Sequence, residues 1–304
     1  MKKLNLLKTA AALFASAVLL FTSCSSSPDI LPVDALDLLE ANAALYVAIP
    51  VQSNSEVVEG AIKKITTASD SDAKKIAERL DTLFLSVDLN GQSQLSCSGK
   101  IPANMAGMAF TEKNGWKSQM LSNQIVYKHT QSNFQICLPS SKNAFLGQNI
   151  EPMIQRYNFL AYPPSSQENG NPLSDNSSAS SMELVSNTMV ESAYKLLHDD
   201  LATDMVIYAP RPRAFLRSFI GSDIKTPVDS IVALLSRKDL NSKQYNVKLI
   251  ITMSDHRTVK ATCALLKTLL FPIPAKIQQT GQSQITVTDL PVAQSKILSF
   301  FGIK

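Results

Sequence analysis

The residues best able to do acid–base or metal chemistry are few in this chain. Its three histidines are His129, His198 and His256. His198 is followed by Asp199 and Asp200, and Glu191 lies seven positions earlier. A helix through Glu191 and His198 would place a carboxylate and an imidazole on one face. A zinc-type centre needs several such groups at fixed spacing, and neither an H-E-x-x-H pair nor a third ligand accompanies these two. A histidine near a helix C-terminus is already favoured there by the helix dipole, so no metal and no cofactor is expected. His256, beside Asp255 at a helix start, reads as a surface residue. Ser192-Ala193-Tyr194-Lys195, Ser174-Asp175-Asn176 and Lys225-Thr226 imitate the S-x-x-K, S-D-N and K-T-G elements of serine acylation. Their order is wrong, Pro227 replaces the glycine, and the S-D-N falls in a serine-rich polar stretch. No G-x-S-x-G, phosphate-cradling loop or dinucleotide fingerprint is present. No catalytic residue is assigned, and the chain reads as non-enzymatic.

Of the four cysteines, Cys24 carries the clearest signal. Met1-Lys2-Lys3 and Lys8 form a positive start, Thr9 to Phe21 run apolar or small, and Thr22-Ser23 lead into the cysteine. The apolar run is short for a bilayer span and has the charge layout of a secretory signal. Phe21-Thr22-Ser23-Cys24 resembles the lipobox of bacterial lipoproteins, in the relaxed form of spirochaetes and some Bacteroidota, with Phe21 where Leu is usual. The resemblance implies cleavage before Cys24, lipidation of that residue and a lipid-anchored protein of the cell envelope. Each buried methylene of such an anchor contributes about 0.8 kcal/mol, so several acyl chains hold firmly. Ser25, rather than Asp, follows the cysteine, which resembles lipoproteins sent to an outer membrane. Cys97, Cys137 and Cys263 fall on apolar faces, where thiols serve as small hydrophobes. A Cys97–Cys137 disulfide is the alternative pairing.

The elements behind these residues divide the chain into a signal peptide (1–23), a tether (24–32), a first half (33–160), a flexible linker (161–181) and a second half (182–304). Asp34 to Asn42 reads as a short helix. Ala44 to Val51 is apolar on both faces, as a doubly covered strand requires, with pairing ending near Ile49 before Pro50. Ser53 and Glu56 form a capping-box pattern ahead of an amphipathic helix, and Asp72 to Leu80 continues as a second one. Leu83–Leu89, Asn90-Gly91 and Gln94–Ser98 read as a hairpin with a type I′ turn. A helical stretch over 103–112, strands at 124–129, 133–138 and 143–146, and a helix at 150–157 complete the first half. Tyr162 to Ser181 has too few apolar residues to offset the entropy of ordering. Beyond it come a helix (182–197), an apolar strand (204–209), a helix (213–220) and a hairpin (230–237 with 245–253). A helix capped by Ser254 or Asp255, a strand (284–288) and a terminal helix opened by Asp289 and Pro291 follow.

Both halves thus repeat a βαββαβ order. The expected fold is α+β, two tandem βαββαβ-like halves with antiparallel sheets covered by helices on one face. A single mixed sheet shared by both halves is the alternative. Leu31-Pro32-Val33-Asp34 and Asn42-Ala43-Ala44-Leu45-Tyr46-Val47 resemble the opening of exported bacterial families of unknown function, a likeness that assigns no site residue.

Of 29 basic and 25 acidic residues, three lysines sit in the signal, which has no acid. The near-neutral remainder argues against a nucleic-acid partner. Two apolar stripes remain, and Leu265, Leu269, Ile297 and Phe300 are the candidate lining of a hydrophobic-ligand groove. Arg211, Arg213 and Arg217 with Phe215 and Phe219 form a small basic-aromatic patch. The expected function is a lipid-anchored, non-catalytic binding module for an envelope protein or lipid. A carrier or sensor of hydrophobic ligands is the alternative.

Overall fold

A strand that is apolar on both faces needs cover above and below and a partner at each edge. Leu45–Pro50 (β1) is buried along its whole length and has both. The computed structural model describes residues 31–66, 68–103, 106–163, 182–198, 204–213, 227–237 and 242–299. The expected signal peptide, Cys24, the bulk of the linker, Asp199, Asp200 and the expected helix beyond Arg213 lie outside them.

In chain order, a 3-10 turn at Leu36–Leu38 precedes β1, which runs directly into α1 (Val51–Thr66) and α2 (Asp70–Ala77). The hairpin strands β2 (Leu80–Val87) and β3 (Ser93–Gly99) follow, then a single turn, α3 (Ala106–Ala109), and a 3-10 turn at Glu112–Asn114. Four strands complete the first half: β4 (Trp116–Leu121), β5 (Gln124–His129), β6 (Gln135–Cys137) and β7 (Asn143–Gly147), with α4 (Glu151–Ala161) behind them. The second half has α5 (Val185–Thr188), α6 (Glu191–His198), β8 (Met205–Ala209), β9 (Val228–Arg237) and β10 (Gln244–Met253). It ends with α7 (Val259–Leu269), β11 (Lys276–Gln279), β12 (Gln284–Ala293) and α8 (Gln294–Ser299).

The twelve strands form one antiparallel sheet in the order β11-β12-β10-β9-β8-β1-β2-β3-β7-β6-β5-β4. The α+β class with an antiparallel sheet holds, and the two halves share that sheet. They meet where β1 pairs with β8, Tyr46 opposite Tyr208 and Ala48 opposite Val206. One face carries Val47, Leu85, Ile207 and Val247 against Val57 and Val58 of α1 and Val259 of α7. The opposite face carries Tyr46, Phe84, Phe145 and Val206 against Leu36 and Leu38, Met153 and Tyr157 of α4, and Leu197 of α6. Helices therefore cover both faces, a correction to one-sided cover, and this explains why the central strands lack a polar face.

Several local expectations change for physical reasons. The 88–92 turn is not type I′. The Gly91 N–H donates to the Asp88 carbonyl and Gly91 alone takes a positive φ, +81°, while Asp88 Oδ1 accepts from the Asn90 and Gln92 amides. This is the three-residue loop with a bulge glycine. The two-residue turn with both φ positive is instead Ser122-Asn123, between β4 and β5. The Ser53–Glu56 capping box is also replaced. α1 begins at Val51 and bends at Asn54, whose side-chain amide donates to the Pro50 carbonyl at 3.0 Å. Glu56 turns outward to Arg237. The 182–197 helix breaks into α5 and α6 at Met189, which is extended. Asp289 and Pro291 open no helix: Asp289 sits at φ +59° within β12, and Pro291 stands opposite Asn246 in the strand.

Candidate functional site

Small side chains leave room under the covering helices of the first half. Ala61 on α1, Cys97 on β3, Ala144 on β7 and Ala106 and Ala109 of α3 surround an apolar cavity of about 760 Å3. Its floor is the sheet face at Leu83, Leu95 and Leu146. One wall is Val58, Ile62 and Ile76 of α1 and α2, and the other is made by Ile101, Pro102, Ala106, Ala109, Phe110 and Trp116.

That second wall is held by its own aromatic cluster. Phe110 meets the Trp116 ring edge-on at 5.0 Å and the Tyr127 ring at 5.1 Å. Buried His129 packs on Trp116 at 4.8 Å, and its Nδ1 lies 2.8 Å from the Ser132 hydroxyl. Gly115, at φ +79°, turns the chain from the 3-10 turn into β4, and a Cβ there would lie 3.3 Å from His129 Nε2. Asn114 clips the segment shut by donating to the Ala109 carbonyl at 2.9 Å.

The cavity can hold an apolar group. Its sulfur nucleophile, Cys97, donates to the Ala144 carbonyl, and burial pushes its pKa up to about 12. A protonated thiol without a base is inert at neutral pH. Polar groups collect at the mouth, where Ser69, Asp72, Lys75, Arg79 and Asn114 line the opening. A volume between roughly 300 and 1,000 Å3 with apolar walls and few polar groups is the usual form of a small-ligand site. A smaller polar recess of about 190 Å3 lies elsewhere, lined by Glu40, Gln94 and Arg156 among others.

A family model, that of the outer membrane-associated lipoprotein TP0453, matches residues 31–298. The chain belongs to this family. It is accordingly an outer membrane-associated lipoprotein of the cell envelope. Crystal forms I, III and IV of TP0453 are each 15% identical to it, with TM-scores of 0.65, 0.62 and 0.60. The matches cover 88% of this chain and 96, 98 and 96% of theirs, and they establish a shared fold. No curated protein matches the chain. No described helix is long and apolar enough to cross a membrane.

Within this member of the TP0453 family, the groove residues expected from sequence are not brought together. Leu265 and Leu269 lie on the outer side of α7, each 41% exposed, whereas Ile297 is 1% exposed in the core. Phe300 lies outside the described residues. The reason is helical phase: α7 buries Val259, Cys263 and Leu266, which leaves Leu265 and Leu269 facing away from the sheet. Sequence reasoning missed this cavity because its lining comes from many separate segments whose members each read as ordinary core.

The other candidates take structural roles. His198 Nε2 lies 2.9 Å from Asp34 Oδ2, which also accepts from the Tyr194 hydroxyl at 2.9 Å, pinning the chain opening to α6. Glu191 pairs with Lys195. Among the described residues no group of three His, Cys, Asp or Glu side chains could hold a metal ion. His256 is exposed near Asp255, which binds Arg257 more closely. Cys97, Cys137 and Cys263 are free and buried, so the Cys97–Cys137 bond is not formed. Cys97 faces Ala144 and Cys137 faces Phe145, neighbours on β7 that point to opposite faces of the sheet. Arg211 and Arg213 are exposed, and Phe215, Arg217 and Phe219 lie outside the described residues.

Proposed function

We propose that this protein is anchored through lipidated Cys24 and holds the acyl chain of a lipid in the cavity between α1, α2, the sheet and the 101–116 segment. The observation that carries this reading is the cavity itself: about 760 Å3, apolar on every wall and polar at its mouth. An acyl chain there would be shielded from water along its length, at about 0.8 kcal/mol per buried methylene. The role is binding or carriage without chemistry, in keeping with the protonated thiol and the lack of a catalytic motif.

Mass spectrometry tests both parts. Full-length protein extracted from membranes should carry acyl mass on Cys24. The chain from residue 25 onward, purified from the exported compartment without detergent, should retain a stoichiometric lipid under native conditions. Ala61→Phe should fill the cavity and remove that lipid while circular dichroism shows the fold retained. A bare protein mass, with the cavity open, would sink the carrier reading.

A further inference from the structure

The mouth of the cavity is more specific than its walls. Lys75 of α2 and Arg79, just beyond that helix, are four positions apart and both line the opening. They are exposed, and among the described residues neither forms an ion pair. Of the nearby acids, Asp70 binds Lys63 at 2.9 Å, whereas Asp72 lines the same mouth and, accepting from the Ser69 hydroxyl at 2.7 Å, keeps its charge, so the two cations there face one carboxylate. Two like charges four positions apart repel each other, so the pair is relieved by an anion placed between them. A guanidinium forks onto phosphate or carboxylate oxygens, and an ammonium adds a compact second charge. Ile62, Ile76 and Leu80 belong to the apolar lining of the same cavity.

Resting on the carrier reading, we infer that the ligand is an anionic amphiphile, its chain in the cavity and its phosphate or carboxylate head between Lys75 and Arg79. A zwitterionic head brings its own cation beside its phosphate and so gains less from the pair than a head with net negative charge.

The chain's one tryptophan, Trp116, lines the cavity and reports its occupancy by contact quenching with bromine. The test uses the chain from residue 24 onward carrying Cys24→Ser, so that the only lipid present is the one added. It is titrated with dibromostearate and with dibromostearoyl lysophosphatidylglycerol and lysophosphatidylcholine. Both anionic probes should quench at concentrations roughly tenfold lower than the zwitterionic one, a gap typical of one charge-assisted contact. Whichever anionic probe is tighter identifies the head as carboxylate or phosphate. Lys75→Gln with Arg79→Gln should erase the gap. Lys74→Gln with Lys260→Gln, equal in charge and away from the mouth, should preserve it. Equal quenching by all three probes, or a gap that survives Lys75→Gln with Arg79→Gln, would overturn the head-group assignment and leave the cavity reading standing. No quenching by any probe would overturn both.

Discussion

At the scale of single residues, the buried polar groups explain how the chain opening is fastened to the domain. Tyr46 is sunk in the sheet, yet its hydroxyl accepts from the Ala43 amide and donates to the carbonyls of the 40–41 turn. Burial pushes its pKa up to about 12, so it remains a donor under all ordinary conditions. Asp37 is the opposite case, a buried carboxylate that accepts from the Ser186 amide at 2.7 Å. Burial raises its pKa above the ordinary carboxylate value, and the Ser186 hydrogen bonds only partly oppose that. The folded state therefore holds this proton more tightly than the unfolded chain does. Its contribution to stability is complete below the unfolded pKa and is lost as pH rises through the folded one. Asp37→Asn keeps the acceptor oxygen and removes the charge. Its stability relative to the parent should rise between pH 4 and pH 7, read from paired thermal melts. A constant difference across that interval would show that Asp37 does not titrate differently on folding.

At the scale of elements, what could be read from sequence depended on whether an element buries a face. β1, β8, β9 and β10 were legible because their apolar residues are continuous or alternate cleanly. β4 and β11 were not, because they are the two edges of the sheet and expose most of their side chains. β12 was cut short at Thr288 because Asp289 and Pro291 are ordinarily helix-start residues, whereas here a bulge at Asp289 carries the strand on to Ala293. The candidate site was the least legible part. A cavity is made by residues too small for their place, and Ala61, Cys97 and Ala144 show that only once three elements are stacked. The segment that closes this cavity rests on one backbone position. Gly115→Ala should cost about 1–2 kcal/mol, from the left-handed conformation and the close approach of His129. Urea unfolding would measure it, and an unchanged midpoint would mean that the turn relaxes freely.

For the whole molecule, the decisive fact is that the two halves of the chain own a single sheet. The Asn54 carboxamide of the first half accepts from the Tyr245 hydroxyl of the second at 2.9 Å, and Arg237 reaches across to Glu56. Residues 182–304 expressed alone would expose the Met205–Ala209 edge and the surface that Tyr46 and Ala48 cover. They should fail to give a dispersed amide spectrum, while the entire chain should melt in one cooperative step. Two separate transitions would show that the halves are independent after all. The shared sheet also sets a timetable. β1 can find β2 within a few dozen residues, but its other edge has no partner until Tyr208 arrives. A polypeptide threaded into the envelope from its N-terminus thus presents an open, apolar strand edge for the whole interval, the kind of surface that recruits other chains. The closing seam is a late, long-range event. Delivery of this protein should therefore depend on a holding chaperone until the second half has emerged.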